Sequence, residues 1–259
     1  MKRSLLLVVA MFFAVSGFAA KESQSPSSDQ EQKEIKIAIT PTDRLKSKNW
    51  RARYEEKLKQ AKELGPKAKI LFLGDSITHF WEREDYGKEV FERDFKQYNT
   101  FDAGISGDRT EHLLWIIEKS GILDPLDPQL IVLMIGTNNA GHQLKRKGGT
   151  GVQATVAGTR RALNDLRARF PKAKILLFAI FPRGKDAQDA ARIQNQKVNN
   201  ITRRLADNEN IFWVDINDKL MNPDGTIDTE VMPDRVHPRK KGYEIWSAAI
   251  MPYVKQYVK

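Results

Sequence analysis

Four short, largely apolar runs, each closed by small or polar residues, limit what this chain can fold into. They lie at residues 69–73, 130–135, 174–180 and 211–214, with a weaker run at 97–103. A run that is apolar at consecutive positions, not only at alternate ones, is what a strand covered on both faces requires. Segments of helical period lie around and between them. Trp50, Tyr54, Leu58 and Ala61 share one face of a helix that stops near Gly65-Pro66. A loop with a short helix is expected over 80–95 and a helix over 110–119. Val152, Val156, Leu163, Leu166 and Phe170 line a long helix, Ile193, Val198, Ile201 and Leu205 another, and residues 240–257 form a closing one. Strands joined through single helices need right-handed crossovers, which puts them parallel in one sheet with helices on both faces. The expectation is an α/β fold, a three-layer α/β/α sandwich around a five-stranded parallel, flavodoxin-like sheet, in one domain over residues 49–259.

The N-terminus reads differently. Lys2 and Arg3 precede an apolar stretch over residues 5–15, and Gly17-Phe18-Ala19-Ala20 offers small-residue cleavage sites. Residues 1–20 therefore read as an export signal, too short for a comfortable membrane span, and no second apolar span follows. The expected location is periplasmic or secreted, with no integral membrane span once the signal is cleaved. Residues 21–48 are polar and read as a flexible segment, with a short strand allowed at 35–39. The formal net charge is +10, of which Lys2 and Arg3 supply two, leaving +8. A basic surface can attract nucleic acid, anionic lipid headgroups or acidic polysaccharide, but an exported chain rarely meets nucleic acid, none is expected as a partner, and a surface that simply aids solubility is the plainer reading. The chain has no cysteine, which excludes disulfides, thiolate metal sites and a cysteine nucleophile. His79, His112, His142 and His237 show no metal-ligand spacing, so neither a metal nor another cofactor is expected.

In doubly wound sheets, chemistry sits beyond the carboxyl ends of the strands. Every polar cluster of this sequence falls there. Gly74-Asp75-Ser76 follows the first strand, Gly104-Ile-Ser-Gly-Asp-Arg-Thr110 the second, Gly136-Thr-Asn-Asn139 the third, Phe181-Pro-Arg-Gly184 the fourth and Asp234-Arg-Val-His237 the fifth. A serine hydroxyl is a weak nucleophile until a base takes its proton, and a neutral imidazole is the usual base. Ser76 with His237, and Asp234 to orient the ring, is therefore a candidate triad. The backbone N–H groups of Ser76 and Gly107 and the side-chain amide of Asn138 could converge on one oxygen as an oxyanion hole. Plainer readings stand beside these. Ser76 would serve as a helix N-cap, Asp234 as a cap of the final helix or a partner of Arg235 or Arg239, and Asn138 as a turn residue. Gly104 and Gly107 suggest a phosphate loop, but the full nucleotide-binding patterns are absent.

Gly74-Asp75-Ser76, Gly107, Asn138 and Asp234-x-x-His237 resemble the four blocks of the SGNH (GDSL-type) hydrolases. His112-Leu-Leu-Trp115, Gly136-Thr-Asn-Asn-Ala-Gly-His142, Phe181-Pro-Arg-Gly184 and Asp224-Gly-Thr-Ile227 are similar to the branch of platelet-activating-factor acetylhydrolase catalytic subunits. The resemblance spans about 49–257. It implies metal-free ester hydrolysis through an acyl-enzyme on Ser76, with Gly107 and Asn138 as oxyanion donors and Asp234 and His237 completing the triad. It also raises a homodimer, although no interface stripe in the sequence marks one. Two features depart from that branch: the export signal and a Lys-, Arg- and Gly-rich loop at 142–151. The expected function is an exported esterase removing short acyl groups, acetyl first, from acylated carbohydrate. The alternatives are a lysophospholipase or lipase-type acylhydrolase and a non-catalytic glycan-binding protein on the same fold.

Overall fold

The computed structural model describes residues 28–145 and 147–259. The stretch at 1–20, expected to be an export signal, lies outside the described residues. So does 21–27 of the segment expected to be flexible. From Ser28 onward that expectation is corrected: Ser28–Ala38 forms helix α1, and there is no strand at 35–39. The reason is spacing. Glu31, Glu34, Ile35, Ala38 and Ile39 turn inward while Ile37 is 47% exposed, which is a helical period and not an alternating one. The helix is pinned to the domain. Glu34 accepts a hydrogen bond of 2.6 Å from the Gly151 N–H at the start of α7 (Val152–Arg169), where a carboxylate meets the positive end of the helix dipole. Arg161 of α7 in turn donates to the Ile39 carbonyl at 2.6 Å.

The rest alternates as expected. Helix α2 (Lys48–Leu64) precedes β1 (Ile70–Gly74), the single turn α3 (Ser76–His79) and α4 (Lys88–Asp94). Then come β2 (Phe101–Asp102), α5 (Thr110–Glu118), β3 (Leu130–Met134) and α6 (Thr137–Leu144). After α7 the chain closes with β4 (Lys174–Phe178), α8 (Ala190–Thr202), β5 (Ile211–Val214) and α9 (Lys240–Tyr257). All pairings within the sheet are parallel, in the order β2-β1-β3-β4-β5, the flavodoxin-like order. The order reverses at β1, so the switch point lies between β1 and β3, whose last residues Gly74 and Met134 are paired in register.

Alternate side chains of the central strands feed two cores. Leu71, Leu73, Ile131 and Leu133 pack with Trp50 and Ala61 of α2 and with residues of α5 and α7. Ile70, Phe72, Val132 and Met134 pack with Trp81, Phe91, Tyr243 and Trp246 on the opposite face. Two elements differ from expectation. The second strand is two residues long instead of spanning 97–103, because Lys96–Tyr98 winds into a 3-10 turn and Asn99 takes a left-handed φ of +50°. Residues 137–144 form a helix where turn residues and the start of a loop were expected. Its sequence, Thr-Asn-Asn-Ala-Gly-His-Gln-Leu, has low helix propensity and no apolar stripe.

Candidate active site

Ser76 opens α3 directly beyond β1, and its side chain is not the cap of that turn. Asp75 is the N-cap, with Oδ1 accepting from the Ile77 N–H at 3.0 Å, so the Ser76 hydroxyl is not needed as the cap. Ser76 Oγ lies 2.9 Å from His237 Nε2, a residue 161 positions later in the chain. His237 Nδ1 lies 2.7 Å from Asp234 Oδ2. The other carboxylate oxygen of Asp234 accepts from the Val236 N–H at 3.0 Å and the His237 N–H at 2.7 Å. Arg235, at φ +59°, makes the tight turn that folds Asp234 back onto His237. The plainer readings of these residues therefore do not apply: the N-cap of α9 is Arg239, and Asp234 is engaged with His237. Partial burial pushes the Asp234 carboxyl up, but hydrogen bonds from the His237 amide, the His237 ring and the Val236 amide outweigh it. They hold the group below the ordinary aspartate range, so it is ionised beside the imidazole.

The three expected oxyanion donors come from loops after β1, β2 and β3. Gly107 has φ +83°, a conformation that favours glycine, and its N–H has no hydrogen-bond partner among the described residues. The Asn138 side chain projects from the first turn of α6 and gives one of its two protons to the Asp108 carbonyl at 2.9 Å, leaving the second for another acceptor. The Ser76 N–H sits at the first position of α3, where a helix has no internal acceptor for it.

Residues that sequence reasoning passed over hold this loop in place. The carboxylate of Asp108, 1% exposed, accepts from Trp50 Nε1 at 2.6 Å and Arg44 Nη1 at 3.0 Å. Arg44 also donates to the Ser106 carbonyl at 3.0 Å, and Arg53 to the Gly104 carbonyl at 3.3 Å. Burial pushes Asp108 up to about 7 against the Trp50 hydrogen bond and the Arg44 charge. Asp75 rises to about 6 for the same first reason, opposed by the Ile77 N–H and the charges of His237 and Arg183. The signal for Asp108 lay in the Gly107-Asp108 pair itself; Arg44 and Trp50 carried none, being more than fifty positions away in sequence.

The other three histidines are hydrogen-bonded apart from one another. His79 Nδ1 lies 2.9 Å from Ser106 Oγ, His112 Nδ1 accepts from the Arg109 N–H at 3.0 Å, and His142 Nδ1 lies 3.2 Å from Arg109 Nη1. Burial, then the charges of Arg109 and Arg44, drives His112 down to about 2 from its ordinary 6.5. The unfolded chain thus binds a proton between those values that the fold does not, and stability falls as pH falls through that window. Wild type should lose about 1 kcal/mol more per pH unit below about pH 6 than His112→Gln, read from urea midpoints. Parallel curves for the two proteins would remove His112 from the account.

A Ser–His–Asp hydrogen-bond chain at a switch point, with amide donors left open beyond the neighbouring strand ends, is an arrangement for acyl transfer. The sequence profile of the GDSL-like lipase/acylhydrolase family matches residues 72–245, more than half of the chain. The protein belongs to this family. It is accordingly a carboxylic ester hydrolase, and its clamp residues Arg44, Trp50 and Arg53 precede the matched part. Among curated relatives, the platelet-activating factor acetylhydrolase IB subunit alpha1 of Homo sapiens is 29% identical over 195 residues, covering 75% of this chain and 78% of its own. A GDSL-like lipase from Bacteroides thetaiotaomicron superposes with a TM-score of 0.64 at 21% identity, covering 79% of this chain and 98% of that one. An acetylxylan esterase from Geobacillus stearothermophilus gives 0.57 at 22% identity, over 73% and 95% of the two chains. These two likenesses bear on the fold. No helix among the described residues of this GDSL-family hydrolase is long and apolar enough to cross a membrane.

Proposed function

We propose that this GDSL-family hydrolase is an exported, periplasmic or secreted esterase that removes short acyl groups, acetyl first, from acylated carbohydrate. The observation that carries the catalytic part is the continuous path from Ser76 Oγ through the His237 ring to Asp234, at 2.9 and 2.7 Å. His237 takes the Ser76 proton as Oγ bonds to the ester carbonyl carbon. The carbonyl oxygen gains the charge and is met by the Gly107 and Ser76 N–H groups and the Asn138 amide. Collapse breaks the bond to the alcohol, which leaves with the proton held on His237. Water then repeats the sequence on the acyl-enzyme: His237 takes its proton, the acid departs, and Ser76 recovers the proton. Asp234 keeps the proton on His237 Nδ1, so that Nε2 is the basic nitrogen facing serine.

Export is supported by the basic start and apolar core at residues 2–15. Acetyl is supported by the acetylhydrolase relatives, and carbohydrate by the ester-bearing polymers an exported enzyme would meet. The test is hydrolysis of p-nitrophenyl esters from acetate to octanoate by wild type and Ser76→Ala, followed by acetate release from acetylated polysaccharides. Turnover that falls steeply with acyl length, and vanishes in the variant, is expected. Turnover that rises toward octanoate would favour a lipase-type acylhydrolase. Equal background in the two proteins would leave a binding protein on an esterase fold.

A further inference from the structure

Helix α6 is bracketed by cations. On one side the Arg44 guanidinium packs against Gly107, where an added Cβ would lie 3.0 Å from Nη1, and Arg109 reaches His142. On the other, Arg183 passes Gly141, where a Cβ would lie 2.8 Å from Nη1, and donates to the Thr137 carbonyl at 2.9 Å and to Thr137 Oγ1 at 3.0 Å. Beyond Arg183 opens a cleft of about 370 Å³ that begins at Asp234 and Val236, next to His237. Lys145, Arg183, Lys185 and Arg235 line it, facing two carboxylates, Asp189 and Asp234.

Those carboxylates are already engaged. Asp189 caps α8 by accepting from the Arg192 N–H at 3.0 Å, and Asp234 holds His237. Arg44 and Arg109 are already paired with the buried Asp108 and Glu111. Lys145, Lys185 and Arg235 have no ion-pair partner among the described residues. Like charges gathered in a cleft repel one another and raise the local concentration of anions there. Burial, then the charges of Arg109, Arg44, Arg183 and Lys145, pulls His142 down to about 4, a sign of the positive field along this face of the helix.

We propose that the cleft takes the negatively charged groups, carboxylate or sulfate, of an acidic glycan whose neighbouring acyl ester is presented to Ser76. The inference deepens, and rests on, the carbohydrate reading given above. The cations lie on the Asp234 side of the triad, so the anion binds along the sugar chain and not at the reacting carbonyl. Its contribution is greatest at low ionic strength, because exposed charges more than about 10 Å apart are screened at about 0.1 M salt.

The experiment compares acetate release from acetylated oligogalacturonate and acetylated xylo-oligosaccharide of equal length. Unacetylated oligogalacturonate and a sulfated oligosaccharide are tested separately as inhibitors of p-nitrophenyl acetate hydrolysis. Wild type should favour the acidic ester in kcat/KM by about tenfold or more at low salt, with the ratio shrinking toward one as salt rises. Lys145→Glu combined with Lys185→Glu should collapse the ratio, and the stronger inhibitor names the anion. A ratio near one in wild type, or one that neither salt nor the double variant moves, overturns the proposal. Failure of the carbohydrate reading looks different. Neither oligomer would then release acetate, while anionic oligomers would still inhibit if the cleft binds them and would not if it does not.

Discussion

His237→Ala is expected to lower kcat for p-nitrophenyl acetate by about 10⁶-fold, to the level of Ser76→Ala. The size follows from the contacts. Nε2 at 2.9 Å is the side-chain base placed to take the Ser76 proton, and without it the hydroxyl stays protonated at neutral pH. The residues act as a unit, so the double variant should be no slower than either single one. Asp234→Asn should cost about 10⁴, because an amide in place of the carboxylate at 2.7 Å stabilises the wrong ring tautomer. KM for this small ester should move little in all of them, since the Ser76 and Gly107 N–H groups and the Asn138 amide are untouched. The readout is single-substrate kinetics on folded variants checked by circular dichroism. Residual activity within about a hundredfold of wild type in His237→Ala would place the base elsewhere.

Trp81→Ala is expected to destabilise the domain by about 3–5 kcal/mol, a large part of the 5–15 kcal/mol typical of a domain. Trp81 is fully buried, and its ring lies 5.6 Å from Phe72, 5.4 Å from Phe95, 4.5 Å from Tyr243 and 5.1 Å from Trp246. It joins β1, α4 and α9 on one face of the sheet, so its removal leaves a cavity that several rigid elements cannot close together. Its indole N–H has no hydrogen-bond partner among the described residues, so the loss is one of packing, and Trp81→Phe should recover part of it. The cavity also sits beside the active site, because Tyr243 Oη donates to the Ile77 carbonyl of α3 at 2.7 Å. Urea unfolding measures the effect. A change below about 1 kcal/mol would mean that the aromatic cluster repacks around the gap.

The architecture was legible because its signals are local. Unbroken apolar strands and one-sided helices reveal burial directly, and the strand count with single-helix crossovers left few parallel orders to choose among. Two of the three misreadings came from doubled or missing signals. Residues 35–39 satisfy both an alternating and a helical period through Ile35 and Ile39, and packing on α7 selected the helix. Helix α6 has no apolar stripe; Gly136 ends the strand and α6 is held by contacts such as Asn195 and Arg183 on Thr137.

Residue types, their place at the strand ends and the family resemblance pointed to Ser76, Gly107, Asn138, Asp234 and His237, because acyl transfer needs few kinds of group and this topology brings strand ends to one edge. Distances and protonation states belong to the tertiary structure. Whether Ser76 caps a helix or faces His237 depends on Asp75 having taken the cap. That Gly107 is presented at φ +83° depends on a clamp of Arg44, Trp50 and Arg53 from a distant helix and its lead-in. The cationic cleft depends on α6 and the 183–185 and 234–236 loops meeting in space. The physical reason is the same in each case: hydrophobic periodicity is written into neighbouring positions, whereas burial, electrostatic field and hydrogen-bond satisfaction are sums over groups far apart in sequence, set only when the chain has folded.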